Sequence, residues 1–197
     1  MSEQAADYFS MLGVPRQFDV DEASLTRAYR ELQRSVHPDR FAGGSDRERR
    51  LAVQKSSQIN EAYETLRSVT RRAAYLLKLA GHPVDTSNTT FSDPEFLMQQ
   101  LQLREELSDL HDATDPEAAL DAFYRDVDNA MAEQKAVFVT GLDADIEQAK
   151  AAYAKLQFLE KLRSQVWDKP EVIGQLMTAA PTARILEEVA REGQGAG

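Results

Sequence analysis

The sequence predicts an all-α protein: a helical hairpin with short flanking helices, joined to a three-helix antiparallel bundle. Three observations lead there. Residues suited to one helix face recur at helical spacing in segment after segment, as in Ala52, Ser56, Ile59, Tyr63 and Leu66. Alternating strand patterns bounded by turn chemistry are missing. Asp93-Pro94 and Asp115-Pro116 each give an N-cap followed by Pro in the first turn, where the absent N–H costs nothing.

Taken in order, a first short helix is expected from about Asp7 to Leu12, ended by Gly13 and Pro15. A second runs from about Asp21 to Val36, with Asp19 or Asp21 as N-cap. His37 to Gly44 contains Pro38 and the Gly43-Gly44 pair and reads as a loop. A third helix spans about Asp46 to Ser68, and a fourth, short one spans about Arg71 to Ala80, stopping at Gly81. Gly81 to Ser92 is polar and turn-rich, which marks a domain boundary. Beyond it come Pro94 to about Asp112, a helix capped by Asp115, and a last long helix to about Lys169, with Gly141, Leu142 and Asp143 breaking the chain before it. Short connections make these three an antiparallel bundle. After Pro170, one amphipathic turn set around Ile185, Leu186 and Val189 precedes a Gly-rich end. The expected domains are therefore 1–80, a linker 81–92, a bundle 93–170 and a weakly packed tail 171–197.

Composition excludes several classes of function. The 197 residues are 42% hydrophobic and 28% charged, as in a soluble globular protein, and no apolar run is long enough to span a bilayer. The first residues carry acid where a secretory signal needs positive charge, so a cytoplasmic location is expected. There is no cysteine, which excludes disulfides, thiol catalysis and thiolate ligation of a metal cluster by this chain. No cofactor or metal is expected, because His82 and His111 stand at no ligand spacing to His37. The net charge of −10 is unevenly placed. Residues 1–82 hold 13 Lys/Arg against 11 Asp/Glu, while residues 83–197 hold 10 against 22, so the two halves face different partners. That balance also argues against nucleic-acid binding, and the basic run Arg47, Arg49 and Arg50 alternates with acid, as an exposed helix start does.

On the second helix, Leu25, Ala28, Tyr29, Leu32 and Val36 form one stripe, with Arg27, Arg30 and Arg34 opposite. A solvated cationic face is the bland account of these arginines. The helix, however, ends directly in His37-Pro38-Asp39, where Pro fixes one dihedral and restricts His37. This turn sits between an arginine-faced helix and another long helix, with Tyr8 and Leu12-Gly13 upstream and Phe41, Ile59-Asn60, Ala62-Tyr63 and Leu66 downstream. The arrangement resembles the J domain of DnaJ-type co-chaperones over about residues 7 to 76. The resemblance implies that His37, Pro38 and Asp39, with the electrostatic face of Arg27, Arg30 and Arg34, dock on a partner ATPase and trigger its hydrolysis. Arg40 stands where many members have Lys and keeps the charge; Glu31 dilutes it.

The helix from Pro94 shows two apolar sides. Phe96, Leu103, Leu107 and Leu110 make a core stripe, whereas Leu97, Met98 and Leu101 centre on another side, flanked by Gln102, Glu105 and Asp109. Cover by the first domain or the tail is one account of this second stripe; a binding surface is the other. Phe158 lies off the Ala149, Tyr153 and Leu156 side of the last helix, where a flanking aromatic is also compatible with core.

The runs Phe96 to Leu107 and Lys155 to Arg163, with Ala74 to Leu77, are similar to the HscB-type co-chaperones, and the likeness extends to about residue 167. It implies an L-shaped, non-enzymatic molecule with a J domain and a C-terminal three-helix bundle. Such an adaptor stimulates a DnaK-class chaperone of the HscA type and delivers to it an IscU-type scaffold, for maturation of iron–sulphur proteins. By position, the scaffold-binding residues are Leu97, Met98, Leu101, Gln102, Glu105, Asp109 and Phe158, with Gln102 replacing a family Glu. A general J-domain chaperone that holds unfolded chains through the same patch is the second reading.

Overall fold

The computed structural model describes residues 7–41, 43–84, 94–110 and 113–165. Among them are seven α-helices and no strand. The chain divides into two compact units: Met1–Ser87 with Gly141–Ile146, and Asn88–Thr140 with Glu147–Gly197.

In the first unit, α1 (Tyr8–Leu12) starts where the Asp7 carboxylate accepts from Ser10 N–H at 2.8 Å, and it ends at Gly13 in a left-handed conformation, φ 64°. Of the two aspartates considered as cap for α2 (Glu22–Val36), the structure uses Asp21, which accepts from the Ala23 and Ser24 amides. A capping box of Ser45 and Glu48 opens α3 (Asp46–Arg67). Ser68 ends α3 and caps α4 (Val69–Leu79) through its side chain, so α4 starts two residues before the expected Arg71. Phe9, Leu12, Leu25, Ile59, Ala62, Leu66, Ala73 and Leu77 fill the core between these helices. Burying such side chains is the main stabilising term, about 1.5–3 kcal/mol for each large one.

The α2–α3 hairpin is also held by a polar seam. Tyr29 stacks on Tyr63 with ring centres 4.1 Å apart, the Tyr29 hydroxyl donates to Asn60 Oδ1 at 2.9 Å, and Ser56 Oγ donates to Gln33 Oε1 at 2.9 Å. Arg72 is buried, donating to the Leu66 carbonyl, with its guanidinium 5.3 Å from the Phe18 ring centre.

The second unit holds α5 (Pro94–Asp109), α6 (Pro116–Ala144) as far as Thr140, and α7 (Ile146–Gln165) from Glu147. The Asp115 carboxylate caps α6, accepting from Ala118 N–H at 3.0 Å, as expected; Asp93 lies outside the described residues. Helix α6 runs antiparallel to α7, with the late-lying Arg163 pairing to the early-lying Asp128 at 3.0 Å. The expected core stripe of α5 is buried in full, at Phe96, Leu103, Leu107 and Leu110. Phe123, Val127, Met131 and Phe138 of α6 and Ala149, Tyr153, Leu156, Leu159 and Leu162 of α7 are buried as well and make up the rest of the unit's apolar interior.

One expected break is absent. Helix α6 continues through Gly141 and Leu142 and ends at Ala144, with Asp145 alone between it and α7. Buried positions Phe123, Val127, Ala130, Gln134 and Phe138 recur at spacings of three and four, and buried Gly141 is the next in that series. A glycine costs a helix only about 1 kcal/mol, which a helix of 29 residues absorbs. The reading of the tail, with Ile185, Leu186 and Val189, lies outside the described residues.

Candidate functional site

Two surfaces gather the residues singled out in the sequence, one on each unit. On the first, Leu25 is buried and Ala28, Tyr29, Leu32 and Val36 are half-buried, which turns Arg27, Arg30 and Arg34 to solvent. The arginines and Thr26 line a shallow groove whose acids are Glu22 and Glu31. Exposed guanidiniums on a rigid helix attract an acidic protein surface and speed encounter with it, the acids reducing the field.

Helix α2 stops at Val36 because the next residue precedes a proline: His37 leaves the helix at ψ 128°, and Pro38 could donate no helical hydrogen bond. Pro38–Phe41 then form a 3-10 turn inside the segment expected as loop. Arg40 N–H donates to the His37 carbonyl at 3.0 Å and closes it. The Arg40 guanidinium donates back to the Arg34 carbonyl at 3.2 Å, satisfying one of the orphan acceptors at the helix end. His37 is exposed; the side chains of Pro38 and Asp39 lie outside the described residues. Arg40 thus ties the turn to the end of the basic helix, which the sequence does not disclose.

On the second unit, Leu97, Met98 and Leu101 are 43%, 67% and 56% exposed, within little more than one turn of a helix whose other stripe is core. Gln102, Glu105 and Asp109 are exposed beside them. Gln102 donates to Glu106 Oε1 at 2.9 Å, one turn along the same helix. Phe158 departs from an outward site residue: it is half-buried, its ring edge-on to Phe96 and beneath the Arg104 guanidinium at 5.2 Å. The apolar group flanked by carboxylates suits a folded partner with an apolar contact and basic surroundings.

A groove beside this patch is lined by α5 and also by Glu133 and Gln134 of α6 and Lys155 of α7. Sequence reading missed these three, because no local pattern tells which parts of distant helices share a cleft. Among the described residues, no group of His, Cys, Asp or Glu could hold a metal ion. No described helix is long and apolar enough to cross a membrane.

Comparison with known proteins assigns both halves. The DnaJ domain family model matches residues 7–75, and the model described as the HSCB C-terminal oligomerisation domain matches residues 92–166. A protein of Aliivibrio fischeri (strain MJ11) named "Co-chaperone protein HscB homolog" is 44% identical over 163 residues, covering 81% of this chain and 94% of that protein. The solved structure "Chaperone HscB from Vibrio cholerae" superposes with a TM-score of 0.70 at 41% identity, covering 83% of this chain and 96% of that one. The human co-chaperone protein HscB superposes with a TM-score of 0.72 at 30% identity, covering 83% and 82%.

Proposed function

The chain belongs to the HscB family of co-chaperones, and on that premise we propose which partners it joins and through which residues. It carries a J domain and the family's C-terminal helical domain, and co-chaperone action is its function. Its ATPase partner is a DnaK-class chaperone of the HscA type, docked through His37, Pro38, Asp39, Arg27, Arg30, Arg34 and Arg40. Its second partner is an IscU-type iron–sulphur scaffold, docked through Leu97, Met98, Leu101, Gln102, Glu105, Asp109 and Phe158. The observation that carries the second assignment is the large exposure of three neighbouring apolar side chains on α5.

Joining the two docking surfaces in one chain raises the concentration of scaffold at the chaperone, and docking of the J domain biases the ATPase toward its hydrolysing conformation. No step of bond chemistry falls to this chain, and with no cysteine it leaves the cluster to the scaffold. The site of action is the cytoplasm, without membrane or nucleic acid as partner.

Single-turnover hydrolysis by an HscA-type chaperone, measured with this chain and an IscU-type scaffold, tests the proposal. Stimulation by the chain, enhanced by scaffold, is expected. Suppression of aggregation of unrelated unfolded proteins without scaffold binding would instead make it a general J-domain chaperone.

A further inference from the structure

The groove beside α5 has walls of different chemistry. Met98 and Leu101 give it an apolar side, and Glu105 of α5 and Glu133 of α6 give it carboxylates. The cation in its lining, Lys155, places Nζ 5.0 Å from the centre of the Phe96 ring. Among the described residues, neither Glu105 nor Glu133 forms an ion pair. Both are exposed, so nothing of the chain's own satisfies their charge.

A partner covering this groove removes water from the two carboxylates. A purely apolar occupant would leave them desolvated without compensation, and an acidic one would be repelled. A lysine or arginine side chain meets every requirement: its methylene stem packs on Met98 and Leu101, and its charged head meets the carboxylates. Building on the reading of α5 as the scaffold-docking helix, we infer that Glu133 on α6, with Glu105, receives a basic side chain of the folded scaffold. The docking surface is thereby two helices wide, and its specificity for a basic partner residue comes partly from α6.

The test is calorimetric titration of the full chain with an IscU-type scaffold at two salt concentrations. Glu133→Lys should weaken Kd about tenfold, and Glu133→Gln should weaken it less while reducing its salt dependence. Asp121→Lys makes the same change of charge at an exposed position of α6 outside the groove and should bind like wild type. All three substitutions are at exposed positions, and parallel melts confirm retained folding. A Lys/Arg→Glu scan of the scaffold should yield a variant whose binding Glu133→Lys restores. Three outcomes overturn the inference: Glu133→Lys binding like wild type, Asp121→Lys weakening binding equally, or the scan yielding no restoring pair. If Leu97→Ala/Met98→Ala/Leu101→Ala also binds like wild type, or the wild type does not bind scaffold, the parent reading falls with it. Loss of binding in that triple variant beside unchanged Glu133→Lys removes the second wall alone.

Discussion

Phe158 presents its ring to Phe96 edge-on, with 5.7 Å between centres and 84° between planes. Phe96 is core, so Phe158 has one side against the interior and another beneath the Arg104 guanidinium. Its truncation therefore carries two effects that Leu97, Met98 and Leu101 do not share. Phe158→Ala should lower bundle stability by about 1–2 kcal/mol through lost packing and ring contact, in addition to weakening scaffold binding. Leu97→Ala/Met98→Ala/Leu101→Ala should abolish measurable scaffold binding with a cooperative melt retained. Urea unfolding beside calorimetric titration separates the two variants; a triple variant that unfolds would place the stripe in the core.

The turn after α2 holds its backbone through Arg40 and His37 main-chain contacts and leaves the His37 side chain exposed. His37→Gln should accordingly abolish stimulation of the chaperone ATPase with little change in Tm. Normal stimulation by this variant in single-turnover hydrolysis would remove the turn from the docking site.

Reversing Arg27, Arg30 and Arg34 to Glu should weaken ATPase-partner binding and slow association, and added salt should weaken the wild type, because exposed charges steer encounter and are screened. Association rates from stopped-flow fluorescence decide this; rates independent of salt would show that the arginine face takes no part.

Gln100 is 7% exposed in the apolar stripe of α5, and its side-chain nitrogen finds no acceptor among the described residues. An unmatched buried donor costs about 1–3 kcal/mol, so Gln100→Leu should raise stability by an amount of that order. A urea midpoint that stays put or falls would mean that the amide is satisfied in solution.

Tyr8 lies under Tyr75, and its hydroxyl donates to Glu61 at 2.8 Å. Burial, then this hydrogen bond and the repulsion of Glu61, push its pKa from 10.0 up to about 12. The neutral phenol is favoured by folding, so its contribution is complete below pH 10 and is lost as pH rises toward 12. Tyr8→Phe should flatten the fall of stability across that alkaline window; an unchanged profile from melts at stepped pH would contradict it.

Much of the fold is legible in the sequence because its signals are local. The caps Asp21 and Asp115 and the stripe of Phe96, Leu103, Leu107 and Leu110 need only cap chemistry and a period of 3.6. The exposed faces of Arg27, Arg30 and Arg34 and of Leu97, Met98 and Leu101 follow as the complement of the buried ones. Gly141 misleads because its local preference, about 1 kcal/mol, is too weak to end a helix of 29 residues. Glu133 and Lys155 stay hidden because their proximity to α5 is a property of the packed bundle, and the double role of Phe158 depends on contacts with Phe96 and Arg104.

The single residue between α6 and α7 also sets an order of assembly. Closing that hairpin sacrifices little chain entropy, whereas α5 must find the pair across a longer connection before its interior stripe is covered. The α6–α7 hairpin is thus expected to form first, with α5 docking onto it afterwards. Pulse-labelled hydrogen exchange during refolding should protect the amides of α6 and α7 before those of α5. The helix proposed to meet the scaffold would in this way be the last of the three to join and the first that local unfolding releases.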